Sequence, residues 1–368
     1  MYAVLCTDFE ESTVGEIETP TPGPGEVRID VSRVQLSVTE CLLYRGADTA
    51  HADEIARRLR ETDSGTQLFG HEFCGTIAAV GDGVTGFAVG DRVYAPGKIR
   101  CGECTYCRSG HGHLCADVVS FGYDLPGALA ESVVLPEEPL CRLPDGVSDA
   151  EGAAMQPMAS SVLCALDAGI EAGDTVLVVG GGVMGFQCAM LAKRFGAGEA
   201  FVSDVRDAPL GVVDDHGLTP IDARTDDPAT VVRDATDGVG ADVVFEAVGG
   251  SLDHATDGNG PVATAFDAVR RGGTVLQVSH VEGDVPITPR LLRSKSVRWV
   301  NPRKGVIDVA PDTNTGELAA SLVASGDVPI GEYVTHELDG LASFEEAVAI
   351  TLEKGEYGAL GPAQMVLE

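Results

Sequence analysis

The stretch that most restricts how this chain folds is residues 174–197, DTVLVVGGGVMGFQCAMLAKRFGA. A β-branched apolar run, Thr175–Val179, ends in three spaced glycines, Gly180, Gly182 and Gly185, and a helical pattern follows. Strand, glycine turn and helix in that order form the first half of a βαβ unit. Gly180 permits the tight turn. Gly182 leaves the backbone bare where a pyrophosphate can approach, and Gly185 lets the helix lie close on the strand. The first helical turn, with Val183, Met184 and Gly185, offers free N–H groups and a dipole that favours phosphate. Asp204 ends the next strand-like run, AFVSDV, 19 residues after Gly185. A carboxylate there suits the ribose hydroxyls of NAD and repels a 2′-phosphate. Arg206 blurs this, since it could stack on adenine or meet such a phosphate, so NADP stays open.

From about residue 153 strand and helix patterns alternate, as in EAFVSDV, ADVVFEAVG, VATAFDAVRRG and GTVLQVS. Such alternation predicts an α/β fold with a doubly wound parallel sheet over 153–302. Residues 1–152 read differently, as short β-type runs separated by turn dipeptides, which predicts a compact β-rich domain. Within it, AHADEIARRLRETDSG (50–65) reads as an exposed charged helix. The remainder, 303–368, carries two helical patterns and ends in PAQMVLE, a strand that would return to the first domain. A polar stretch, DHATDGNGPV (253–262), has no assignable role.

Cys101, Cys104, Cys107 and Cys115 follow the spacing C-x2-C-x2-C-x7-C in a lobe spanning about 97–116. Thiolates at this density suit tetrahedral zinc, and four of them leave no position for a substrate, so such a site braces a loop. His111 and His113 are surplus to a complete shell. An iron–sulfur cluster is the alternative. The other six cysteines are scattered in mostly apolar surroundings and read as small buried hydrophobes.

Acidic residues outnumber basic ones, 57 against 25, for a net charge of −32. That argues against nucleic acid and against anionic membranes, which need clustered Lys and Arg. Only five residues are Lys, and the acids are spread along the chain, a composition suited to concentrated salt that screens self-repulsion. No apolar run is long enough for a bilayer and the start lacks a signal-peptide pattern, so the expected location is cytoplasmic.

With these features assembled, the sequence resembles the zinc-containing medium-chain alcohol dehydrogenases, the branch with sorbitol and threonine dehydrogenases. GPGEVRIDV, GHEFCGTIAAVGDGVTGFAVGDRVYA, the four-cysteine lobe, GVMG and GGTVLQV carry the resemblance over nearly the whole chain. It implies a GroES-like catalytic domain interrupted by a Rossmann domain, with the active site in the cleft between. It also implies hydride transfer between a nicotinamide and an alcohol, and assembly as a homodimer or homotetramer. A second, catalytic zinc is implied as well, acting as a Lewis acid on the alcohol.

At the positions of that second zinc the sequence departs from the family pattern. The cysteine position falls on Ser37 and the position before the second domain on Gln156, while His71 and Glu72 of GHE are retained. Thr39 stands where the family has a proton-relaying hydroxyl, and Leu42 where some members carry a further His. Two negative ligands are therefore gone. The remaining set would bind zinc or a harder divalent metal weakly, with Cys41 as a possible stand-in. Without a metal, His71 would act as base or hydrogen-bond donor, oriented by Glu72, with Thr39 on the substrate oxygen. Three readings follow: a dehydrogenase of a polyol, sugar or other secondary alcohol, a metal-free quinone or enone reductase, or a nucleotide-binding sensor without catalysis.

Overall fold

The computed structural model describes residues 1–62, 64–251, 260–282, 285, 287–311 and 313–367. The polar stretch at 253–262 falls largely outside these residues. The chain forms two compact units, Met1–Ala159 with Lys304–Glu368, and Ser160–Arg303.

The first unit is built on a seven-stranded sheet. Its organising strand is Glu26–Gln35, which pairs antiparallel with Glu72–Val80, Ser132–Pro136 and Gln364–Val366. Alternation sends Val27, Ile29 and Val31 into the core. An irregularity between Val31 and Arg33 then shifts the phase, so that Val34 is the next core residue. The shift brings Gln35 directly opposite Glu72. The core beneath joins Leu36, Leu43, Tyr44, Phe69 and Phe73 with Val348 and Ile350 of the C-terminal helix Phe344–Leu352.

The predicted charged helix is present as Ala52–Leu59, but it is not simply a solvated element. Ile55 and Arg58 are buried, and the Arg58 guanidinium donates to the carbonyls of Gln67, Tyr123 and Leu125 at 2.8–3.0 Å. The cation therefore staples two loops by their backbones. Gly127 tightens the same region, because a Cβ there would lie 1.6 Å from the Phe69 carbonyl oxygen.

The second unit is a six-stranded parallel sheet in the order Thr219–Asp222, Glu199–Asp204, Thr175–Val179, Ala241–Glu246, Val269–Gln277, Arg298–Val300. Sequence order along the sheet is thus 3-2-1-4-5-6, the doubly wound Rossmann arrangement. Val176, Leu177, Val178 and Val179 are all buried, as a strand covered on both faces requires. The order reverses beside Thr175–Val179, so the glycine turn lies at the carboxyl end of the sheet where a crevice opens. Among the described residues no helix is long and apolar enough to cross a membrane.

Candidate active site, cofactor crevice and metal lobe

In the second unit, the turn after Thr175–Val179 has the geometry its glycines imply. Gly180 has φ 103°, and a Cβ on Gly185 would lie 1.8 Å from the Gly180 carbonyl oxygen. Gly182 is the N-cap of helix Val183–Arg194 and has no side-chain cap. The first-turn N–H groups of Val183, Met184 and Gly185 have no acceptor further back along the helix. A cavity of about 500 Å³ opens in front of Gly180 and Gly182 and runs past Asp204, Arg206 and Arg224. Asp204 is locked in place: Oδ2 accepts from Gly181 N at 2.9 Å, and Oδ1 accepts from the Arg206 backbone N at 2.9 Å and its Nε at 3.3 Å. Arg206, ambiguous in sequence, shares its charge with Asp204, and Arg224 is paired with Asp222 and Asp207.

In the first unit, the four lobe thiols converge. Their sulfurs all lie within 4.8 Å of one another, with separations of 3.5 Å for Cys115–Cys101 and 4.0 Å for Cys101–Cys107 and Cys104–Cys115. A tetrahedron with Zn–S of about 2.3 Å has an edge of about 3.8 Å, so the set fits zinc. Backbone N–H groups of Cys104 and Cys107 point at the sulfurs of Cys101 and Cys104. Donation from Cys107 and Ala116 lowers the Cys104 thiol pKa to about 6, while burial and the neighbouring Cys104 and Cys115 thiols push Cys107 up to about 12, so the fit to zinc rests on the geometry of the four sulfurs. His111 is not drawn in; its Nδ1 lies 3.1 Å from Ser109 Oγ.

The reactive candidates gather elsewhere in the same unit. Ser37 lies two residues beyond the organising strand and caps helix Val38–Tyr44. Its Oγ accepts from Glu40 N at 3.1 Å while its backbone N–H donates to Glu40 Oε2 at 3.2 Å, a reciprocal capping box, and the hydroxyl also donates to Oε2 at 3.1 Å. Glu40, which the sequence reading did not single out, is the centre of the site. Its side chain is 1% exposed, and Oε1 accepts from Gly70 N at 2.7 Å, His71 N at 3.0 Å and His71 Nδ1 at 2.7 Å. Because a carboxylate can only accept, Nδ1 carries the proton and Nε2 keeps its lone pair in the neutral ring. Burial works against the Glu40 charge, but the His71 ring and the Ser37 backbone outweigh it and lower its pKa. Burial likewise opposes a charged His71, yet Glu40 and Glu72 together raise its pKa.

Glu72, expected to orient His71, does not touch the ring in that way. Its Oε1 stands 3.9 Å from Nε2, while Oε2 accepts from Gln35 Nε2 at 2.6 Å. Gln35 in turn accepts from Gln364 Nε2 at 3.2 Å. Burial lifts the Glu72 pKa to about 7 against the pull of His71 and Gln35. The Tyr123 hydroxyl lies 3.2 Å from His71 Nδ1, and His51 stacks on the Tyr123 ring at 4.6 Å. Thr39 sits half-buried on the capped helix and its hydroxyl has no hydrogen bond among the described residues. Gln156 is half-buried on helix Met155–Ala168.

These residues do not fit a catalytic zinc. Among the described residues the lobe thiols are the one group of three or more His, Cys, Asp or Glu donors that converge. At His71 the free ring nitrogen has one anionic neighbour, Glu72, where an open zinc site uses three strong ligands. The Ser37 hydroxyl is spent on the helix cap. Cys41 is no replacement: it is 1% exposed in the core, and burial and then the Glu40 charge push its thiol pKa far up.

Comparison with known proteins agrees with the fold. Residues 23–145 match the alcohol dehydrogenase GroES-like domain and residues 183–308 the zinc-binding dehydrogenase domain. The L-threonine 3-dehydrogenase of Deinococcus deserti is 32% identical over 285 residues, 76% of this chain and 77% of that protein. An Escherichia coli oxidoreductase/dehydrogenase of unknown specificity superposes with a TM-score of 0.86 at 24% identity, covering 100% of this chain and 99% of its own. A zinc-binding dehydrogenase from Sinorhizobium meliloti, bound to NADP, gives 0.82 at 24% identity over 100% and 98%. The GroES-like domain match, the Rossmann sheet with its glycine turn, the thiol lobe and a relative spanning three quarters of the chain converge on one assignment: the protein belongs to the zinc-containing medium-chain alcohol dehydrogenases, NAD(P)-dependent oxidoreductases of alcohol and carbonyl pairs.

Proposed function

We propose that the protein oxidises a small polyol, sugar or other secondary alcohol with NAD, using His71 in place of a catalytic metal. The observation that carries this reading is the Glu40–His71 contact, which holds the ring with Nε2 free. In alcohol oxidation the O–H proton passes to Nε2 and the C–H hydride to the nicotinamide. The products are a carbonyl, NADH and an imidazolium stabilised by Glu40 and Glu72. In the reverse direction the imidazolium donates to the carbonyl oxygen as hydride returns. Thr39 supplies a hydroxyl to the same oxygen. Ser37 and Glu40 are positioning residues, and Gln156 is a neutral lining group. The locked carboxylate of Asp204 supports NAD over NADP, since it would repel a 2′-phosphate.

Zinc in the lobe, held by Cys101, Cys104, Cys107 and Cys115, would brace the loop and supply no reaction chemistry. A cytoplasmic homodimer or homotetramer is the assembly and location that the family supports. The test is a panel of alcohols with NAD and NADP in molar KCl, read at the nicotinamide absorbance, with zinc measured on the same sample. NADH formation with one zinc per chain is expected. Two zincs per chain would overturn the metal-free site. The same donor set also suits a metal-free reductase of quinones or enones. Enone-dependent oxidation of a reduced nicotinamide without alcohol activity would establish that reading instead.

A further inference from the structure

At the carboxyl ends of the parallel sheet, Val179, Glu246 and Gln277 are paired in register on three adjacent strands. Val179 leads into the glycine turn, and Ala247 and Val248, which follow Glu246, line the crevice with it. Ala247 N donates to the Val179 carbonyl at 2.8 Å, and a Cβ on Gly180 would lie 2.9 Å from the Ala247 carbonyl carbon. The ends of these strands therefore form one packed surface.

Gln277 is tied into that surface by its amide nitrogen. Nε2 donates to Glu246 Oε2, to Ser279 Oγ at 3.0 Å and to the Ser279 carbonyl at 3.4 Å. Glu246 is fully buried and accepts also from Val248 N at 3.0 Å and from the Ser279 hydroxyl. Every neighbour of Nε2 is thus an acceptor, since the Ser279 proton is committed to Glu246. A flipped amide would set oxygen against oxygen, so the orientation is fixed and Oε1 faces the other way. Oε1 is buried and takes no hydrogen bond; among the described residues of the second unit it is the one buried side-chain nitrogen or oxygen left so. An unpaired buried acceptor costs free energy that an incoming N–H would recover. It lies close to the surface: Leu276 is buried, Gln277, Val278 and Ser279 are half-buried, and His280 is exposed.

The course of a dinucleotide across this surface supplies the N–H. Asp204 ends the strand on one side of Thr175–Val179, while Ala241–Glu246 and then Val269–Gln277 lie on the other. With the pyrophosphate on the glycine turn and the adenosine ribose at Asp204, the second nucleoside runs the opposite way, over Glu246 and Gln277. Gln277 is two strands from Val179, roughly 10 Å at ordinary strand spacing. The nicotinamide ring carries a primary carboxamide, whose N–H groups are the donors that Oε1 lacks.

We propose that Gln277 binds the nicotinamide carboxamide through Oε1, with Glu246 and Ser279 as positioning residues that keep the amide from turning. This rests on the nicotinamide cofactor of the reading above and names a side chain that recognises its reactive ring. Holding the carboxamide fixes the rotation of the ring, and with it the face offered for hydride transfer.

The test is calorimetric and needs no alcohol. Three ligands are titrated in molar KCl into the wild-type chain and Gln277→Met: NADH, reduced 3-acetylpyridine adenine dinucleotide, and ADP-ribose. The acetylpyridine analogue carries a methyl group in place of the carboxamide nitrogen, and ADP-ribose lacks the ring. Wild type is expected to bind NADH about tenfold more tightly than the analogue, the worth of one hydrogen bond. Gln277→Met should bind the two dinucleotides alike and ADP-ribose as wild type does. Equal binding of both dinucleotides by wild type overturns the contact, whether or not the variant folds. A preference for NADH that survives in Gln277→Met also overturns it, as does a parallel loss of ADP-ribose, which would mark a purely structural role. Failure of wild type to bind ADP-ribose would defeat the dinucleotide crevice itself. Absence of alcohol turnover would defeat only the dehydrogenase reading, because the ligand comparison still decides the contact.

Discussion

The thiol lobe and the His71 site lie in the same unit, and they treat metal ligands in opposite ways. In the lobe, four donors from one short loop converge with backbone N–H groups aimed at their sulfurs. Around His71, the position that the family pattern gives to a thiolate holds Ser37, and its hydroxyl turns back to cap a helix. Behind the histidine stands the Glu40 carboxylate, which takes five hydrogen bonds. The difference separates two things that metal centres usually combine. The lobe retains ligation without chemistry, whereas the His71 site retains the oriented imidazole without the ligation.

The sharpest way to break this comparison is His71→Asn. It is expected to lower kcat about 10²- to 10⁴-fold, the range for loss of a general acid or base, while zinc stays at one per chain. Unchanged turnover would remove His71 from the reaction. Cys115→Ser probes the other side. It should take the zinc content from one to none and lower the thermal midpoint, with KM for the alcohol little changed in the protein that remains folded. Loss of kcat in step with zinc, at a temperature where the fold persists, would show that the lobe metal takes part in catalysis.

Glu40→Gln should have a smaller effect with a diagnostic sign. Removing the anion behind the ring destabilises imidazolium, so the His71 pKa falls towards or below its ordinary 6.5. Alcohol oxidation needs neutral His71, so its rate rises with pH through that pKa, and in the variant this rise moves to lower pH. The maximal rate drops about 10- to 100-fold because the ring is no longer held. Stability changes as well. The raised His71 pKa contributes stability fully present below 6.5 and lost as pH rises through the folded value. The lowered Glu40 pKa contributes stability present above 4.5 and lost as pH falls through the folded value. The variant should therefore lose most stability between those limits, measured as thermal midpoint against pH.

The parts of the molecule that could be read from the sequence are those whose partners are close along the chain. The glycine turn, Asp204 and the four cysteines each sit within about thirty residues of their neighbours, and local geometry forces them together. Glu40 was equally local, since the Ser37-Val-Thr-Glu40 run is a capping-box pattern, but its second role depends on a loop that begins thirty residues later. Tyr123, Gln35 and Gln364 reach the site through sheet register and loop packing, which no short pattern encodes. Arg58 looked like a solvated charge because charge alone does not show that three backbone carbonyls await it.

The smallest effect decides the reading of Ser37. As a helix cap, its loss in Ser37→Ala costs about 1 kcal/mol, or a thermal midpoint lower by about 2–4 °C. As a metal ligand, its loss would instead reduce bound metal and turnover together. Ser37→Thr separates the two further, because threonine caps nearly as well as serine. The expected outcome is a small drop in midpoint for alanine, recovery with threonine, and one zinc per chain in both. Cysteine at this position caps poorly and adds only one anionic donor, so Ser37→Cys alone should also keep one zinc. Only Ser37→Cys combined with Gln156→Glu restores both anionic donors that the family pattern adds to His71 and Glu72, and a second zinc appearing in that double variant alone would show that the chain lost its reactive metal through these two positions together.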